Sequence, residues 1–187
     1  MSRVFEALCA HLKTHPEAEV QDAVKFLYQA SFGGGHFLSD PDGAYQYLLK
    51  EAEIVTFNMF TIDGRVRHGY YSEEELEEHQ IEEYSAWSAV KPFCFSLIKG
   101  KKLPESFHIV LQLSPKSTKS FLDKNQIPVA AEQVQGLYLN IRYEETKIQC
   151  VTGTSLSFFT LDKTMDQEWD KAVCQFFKVH KIPFSQM

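Results

Sequence analysis

The sequence predicts an α+β fold: N-terminal helices, a β-hairpin, then an antiparallel β-meander packed against a C-terminal helix. Three observations predict it. Near the C-terminus, Met165, Trp169, Ala172, Val173, Phe176 and Phe177 recur at spacings of three and four, the period of a helix that buries one broad face. Phe107, Ile109, Leu111 and Leu113 alternate with His108, Val110 and Gln112, as in a strand with one face in a core. Between residues 54 and 71, β-branched and aromatic residues surround Asp63-Gly64, a dipeptide suited to a tight hairpin turn.

Taken in order, Val4, Phe5, Leu8 and Leu12 form a first helical stripe, and Val20, Val24, Leu27 and Tyr28 form a second after Pro16; Gly33 suits the stop of that helix. A third helix is expected from Asp40 as N-cap, with Pro41 in its first turn and Ala44, Leu48 and Ala52 facing inward. Ile54 to Ile62 and Arg65 to Tyr71 are the arms of the expected hairpin. Ser72 and Glu75 make a capping box that opens an acidic helix. Trp87, Val90, Cys94, Leu97 and Ile98 have helical spacing, and Pro92 divides them into two short helices. After the strand at 107–113, Ser114-Pro115 opens a helix to about Lys124. The meander continues through Leu137 to Tyr143, a turn at Glu144-Glu145, Lys147 to Thr152 and Leu156 to Leu161. Thr164 and Gln167 form the capping box of the last helix.

At 187 residues, with 44% hydrophobic and 13% aromatic side chains, the chain is long enough to bury a core of its own. We read 1–187 as one domain, with 1–50 a helical segment and 51–187 carrying the hairpin, meander and remaining helices. Cys9, Cys94, Cys150 and Cys174 are widely spaced among apolar neighbours, the pattern of buried thiols in a reducing compartment. No apolar run reaches the length of a membrane span and no leader pattern opens the chain. A cytoplasmic, soluble protein is the expectation.

Charge is segregated along the chain. Residues 51–90 hold ten acidic and two basic side chains, whereas residues 91–124 hold seven lysines against Glu105 and Asp123. Lys99, Lys101 and Lys102 form the one basic cluster. A surface of this kind suits an acidic protein or a small anionic ligand. The net charge of −6 and the lack of an aromatic platform motif argue against nucleic acid.

Phe32-Gly33-Gly34-Gly35-His36 is the most distinctive motif. Its backbone amides can converge on an anion, and His36 can supply a proton or a hydrogen bond. Asp22, Lys25 and Gln29 lie on one side of the preceding helix. This makes Gly33, Gly34, Gly35, His36 and Lys25 a candidate ligand site, with His36 the weak catalytic candidate. The tract follows a predicted helix and lacks the lysine and hydroxyl of a phosphate loop, so a helix stop is the simpler role. His11 and His15 have zinc spacing without a third ligand, and no metal or other cofactor is expected. No Gly-x-Ser-x-Gly elbow is present. Thr152-Gly153-Thr154-Ser155 reads as a bend or bulge.

Stretches at 51–57 with 60–65, at 92–101, at 137–143 and at 151–155 with 159–163 together make residues 45–180 resemble an uncharacterised family of small proteins from clostridia and related Firmicutes, a domain of unknown function. Residues 20–50 are similar to the opening of a second uncharacterised clostridial family. Neither resemblance implies an activity. The functional expectation is therefore a binding or regulatory protein without catalytic activity; the alternative is a small-molecule-binding protein or enzyme built around His36.

Overall fold

The computed structural model describes residues 4–7, 46–78, 81–99, 102–144, 147–179 and 184–186. Among them, seven strands form one antiparallel sheet: β1 (Val4–Ala7), β2 (Tyr47–Val55), β3 (Met59–Asp63), β4 (Ser106–Leu113), β5 (Val134–Glu144), β6 (Lys147–Leu156) and β7 (Ser185–Gln186), in the order β3-β2-β4-β5-β6-β1-β7. Four helices accompany it: α1 (Glu73–Glu78), α2 (Trp87–Ile98), α3 (Pro115–Lys124) and α4 (Thr164–Val179). The class is α+β, as the sequence predicts.

The core lies on one face of the sheet. Alternation in β4 sends Phe107, Ile109, Leu111 and Leu113 inward, and register carries the same face across its neighbours. Ala52, Ile109, Ile141 and Cys150 form one buried rung, and Ile54, Phe107, Tyr143 and Ile148 the next. Phe107 and Tyr143 stack with ring centroids 5.1 Å apart, a cross-strand pair that reinforces the register. Helices close this face: α2 packs on β2, α3 on β5 and α4 on β6.

The N-terminal expectations change most. Val4–Ala7 is a strand, pairing with β6 from Val4 opposite Val151 to Ala7 opposite Ile148, so these residues do not begin a helix. The rest of the first predicted helix, all of the second and the start of the third lie outside the described residues. Leu48 and Ala52, expected on that third helix, belong to β2. The β4 register places Leu49 opposite Leu111 and Glu51 opposite Val110, which leaves Lys50 as an extra residue. This bulge lets Leu49 and Ala52 both face inward and breaks the period of two, which is why the stretch mimics a helix in sequence.

The hairpin is shifted. It turns at residues 56–58, with Val55 opposite Met59 and Glu51 opposite Asp63, and Arg65 to Tyr71 supply no strand. Asp63-Gly64 instead ends β3: Asp63 Oδ1 accepts from the Arg65 amide at 3.0 Å, and the Gly64 amide donates to the Lys50 carbonyl at 3.1 Å. Beyond Gly64 the chain pairs with residues 83–85 instead of β2: Ser85 N donates to the Gly64 carbonyl at 2.8 Å and Val66 N to the Glu83 carbonyl at 2.9 Å, with a single antiparallel bridge between Arg65 and Tyr84.

Pro92 does not divide its helix. α2 is continuous from Trp87 to Ile98 with Pro92 inside; the proline withholds one amide from the Ser88 carbonyl, while Trp87, Cys94, Phe95 and Ile98 anchor the inner face. The capping box of α1 forms as expected, Ser72 N donating to Glu75 Oε2 at 2.8 Å and Glu75 N to Ser72 Oγ at 3.2 Å. Ser114 caps α3 and Pro115 opens it. The expected strand from Leu156 to Leu161 is absent, because β6 ends at Leu156 and residues 157–163 cross irregularly from sheet to helix. The box predicted at Thr164 and Gln167 is also replaced. Thr164 N and Oγ1 both donate to Asp162 Oδ1, at 2.9 and 2.6 Å, and Gln167 N bonds the Lys163 carbonyl.

Cys94 and Cys150 are buried, as their apolar neighbours implied, whereas Cys174 on α4 is only half-buried and Cys9 lies outside the described residues. Burial pushes the Cys94 thiol up to about 11 and the Cys150 thiol higher still. Ordinary thiols ionise near 8.5, so the unfolded chain releases these protons first. Stability is kept below about pH 8.5 and falls as pH rises toward 11. Alkylation of both thiols by iodoacetamide near pH 8 should be at least about tenfold slower in the native protein than in urea, as peptide mass mapping would show.

Candidate functional site

The described residues leave a cleft where the end of β6 meets the first half of α4. A strand places alternate residues on one face, so Thr152 and Thr154 both project toward the helix layer. A helix brings residues four apart together, so Asp166 and Asp170 form one edge facing them. The two pairs meet: Thr152 Oγ1 donates to Asp170 Oδ1 at 2.5 Å, and Thr154 Oγ1 donates to Asp166 Oδ1. Asp170 is only 7% exposed, and the Thr152 bond offsets part of the cost of burying its carboxylate.

The cleft has a volume of about 330 Å³, and its walls include Leu156, Phe158, Phe159, Met165 and Trp169. Trp169 is wholly buried behind it, its indole N–H donating to the Tyr138 carbonyl at 2.9 Å and its ring meeting Phe121 edge-on. The crossing segment forms the mouth. Phe159 and Leu161 there are 87% and 83% exposed, a large apolar surface for a short crossing segment. Lys163 Nζ lies 3.2 Å from Asp166 Oδ2. The hydroxyl and then the amide of Thr164 hold the Asp162 carboxyl below the usual carboxylate range.

The chemistry follows from which atoms are committed. Both threonine protons point at carboxylates, and the Lys163 ammonium pairs with Asp166. Asp162, Asp166, Asp170 and Lys163 are the charged residues of its lining. Among the described residues, no Ser, Cys or His lines the cleft, and no group of three His, Cys, Asp or Glu side chains is placed to hold a metal.

The sequence-predicted sites fare differently. Gly33, Gly34, Gly35, His36, Lys25 and Lys101 lie outside the described residues. Lys99 caps the C-terminal end of α2 and Lys102 is exposed in the following loop; neither touches the cleft. The stretch from Thr152 to Ser155 is regular strand paired with β5, not a bend. Its bulge sits on the partner strand, between Val134 and Gly136. The cleft residues were singled out for other reasons or not at all. The available signals were the spacings Thr152/Thr154 and Asp166/Asp170, each of which aligns two polar groups on one face.

With this geometry in hand, comparison with known proteins places the chain. The family of unknown function DUF5721 matches residues 42–185. The chain belongs to that family. The DUF5721 match covers β2 to β6, all four helices and every residue of the cleft. No curated protein and no solved structure matches the chain. Among the described residues of this DUF5721 protein, no helix is long and apolar enough to cross a membrane.

Proposed function

We propose that this protein is a cytoplasmic binding or regulatory module of clostridial-type bacteria, without a catalytic centre, and that its ligand docks in the cleft between β6 and α4. One observation carries the reading: a cavity with a polar floor opens beside the exposed side chains of Phe159 and Leu161. Apolar walls with a few convergent polar groups are the usual makeup of a ligand pocket.

An acidic protein or small anionic ligand on the lysine segment is a second reading, favoured by a second hollow of about 360 Å³. Lys116 and Lys119, one helical turn apart on α3, line it opposite Glu132 and Gln135. Lysines so placed present two ammonium groups to one anion.

A thermal-shift screen against amines, amino acids, sugar phosphates and nucleotides separates the readings. We expect stabilising compounds whose effect Phe159→Ala reduces while Lys116→Glu with Lys119→Glu does not. Hits abolished by the lysine changes alone would replace the cleft reading with the anionic one.

A further inference from the structure

We infer that the face of the sheet turned away from the helices is an interface between two copies of this chain, packed about a two-fold axis that runs along β4.

Strand register lays out this face. The alternation that buries Phe107, Ile109 and Leu111 turns Ser106, His108, Val110 and Gln112 the other way. The pairings then make one rung of Thr61, Glu53, His108, Arg142 and Gln149, and a second of Glu51, Val110, Asn140 and Val151. From β3 to β6, β4 is the middle strand of five. Glu53 and Arg142 flank it on β2 and β5, and both are exposed. They stand about 10 Å apart, two strand spacings, too far for an ion pair with each other. Among the described residues neither pairs with another side chain.

A two-fold axis along β4 lays β2 of each copy over β5 of the other, so Glu53 faces Arg142 twice and Val110 meets its own copy at the centre. The alternative two-fold, across the strands, would set Glu53 against Glu53 and Arg142 against Arg142. Charge therefore selects the first arrangement. Sheets packed face to face are turned by about 30°, which displaces residues about 5 Å from the axis by only about 2.5 Å, within the reach of an arginine. The surface is also flat where β5 meets β6: the Tyr138 ring lies over Gly136, where an added Cβ would stand 2.5 Å from it, and Gly153 opposite Tyr138 has no side chain. Five strands over the length from Ser106 to Gln112 span about 19 by 20 Å. That is the scale of a small, reversible interface, so association belongs in the micromolar range.

Sedimentation velocity of the full-length chain, from about 5 to about 500 μM, tests this. We expect a shift from monomer to dimer across the series. Glu53→Arg and Arg142→Glu each oppose like charges and should raise the dissociation constant at least about tenfold. The two exchanges combined, Glu53→Arg with Arg142→Glu, should return it to within about threefold of the parent, with the far-UV circular dichroism of all three variants unchanged. Lys171→Glu, exposed on α4 in the helix layer, should leave the dimer as it was. A chain that stays monomeric throughout would overturn the inference and leave this face to solvent or to a different partner. A dimer that neither single reversal weakens, or that the combined exchange does not restore, would overturn it too, because the contact would then lie elsewhere.

Discussion

Gly64→Ala is expected to destabilise the protein by about 3 kcal/mol or more, the upper range for a residue forced into a closed space. A Cβ at position 64 would stand 1.8 Å from the Leu49 carbonyl oxygen and 2.5 Å from its carbon. Both are backbone atoms of a paired strand, so neither can swing aside. The same short segment donates from Gly64 N to Lys50 O and accepts at Gly64 O from Ser85 N at 2.8 Å, so retreat of the chain would break hydrogen bonds on two sides. Gly69→Ala is the control, because nothing lies within 4 Å of its added carbon, and it should stay within about 0.5 kcal/mol of the parent. Urea midpoints for the two variants decide the matter: equal losses would mean that the contact at Leu49 does not restrict position 64.

Trp169→Ala is expected to cost about 4 kcal/mol, as for large buried aromatics. The indole is wholly buried, meets Phe121 edge-on at 5.4 Å and donates to the Tyr138 carbonyl. It ties α4 to β5 across β6, so its loss opens a void where three elements meet. Trp169→Phe keeps most of the volume and removes the donor, and it should cost about 1–2 kcal/mol. Chemical denaturation measures both. If the phenylalanine variant matched the alanine one, the hydrogen bond rather than packing would be what holds α4.

Trp169 also backs the cleft, so stability and recognition depend on one side chain. The helix face that seals the core with Met165, Trp169, Val173, Phe176 and Phe177 also sets Asp166 and Asp170 toward β6. The register of β6 and the seat of α4 therefore govern the site together. A shift of either by one residue would turn the threonines or the aspartates away.

How far the sequence could be read depended on how local the cause was. Ser114-Pro115, Ser72 with Glu75, and the alternation from Phe107 to Leu113 each act within a few residues, and each appears in the structure as predicted. Leu48 and Ala52 misled because a bulge at Lys50 changed the period of the strand. Val4–Ala7 misled because pairing with β6, contributed by residues about 145 positions away, overrode an apolar spacing that also fits a helix. Pro92 was read as a break, yet packing of Trp87, Cys94 and Ile98 keeps α2 whole.

The site was less legible than the fold. Asp166 and Asp170 resemble any solvated pair on an amphipathic helix, and Thr152 and Thr154 resemble any polar strand residues. By itself the sequence determined the α+β class, the central strand, the helices that begin at Ser72 and Ser114, the amphipathic face of the last helix and the burial of Cys94 and Cys150, because periodicity, capping and hydropathy act over a few residues. The tertiary structure alone decided the order of the strands, the bulge against Gly64 and the meeting of two threonines with two aspartates. Those depend on contacts between segments distant in the chain, whose free energy no local pattern records.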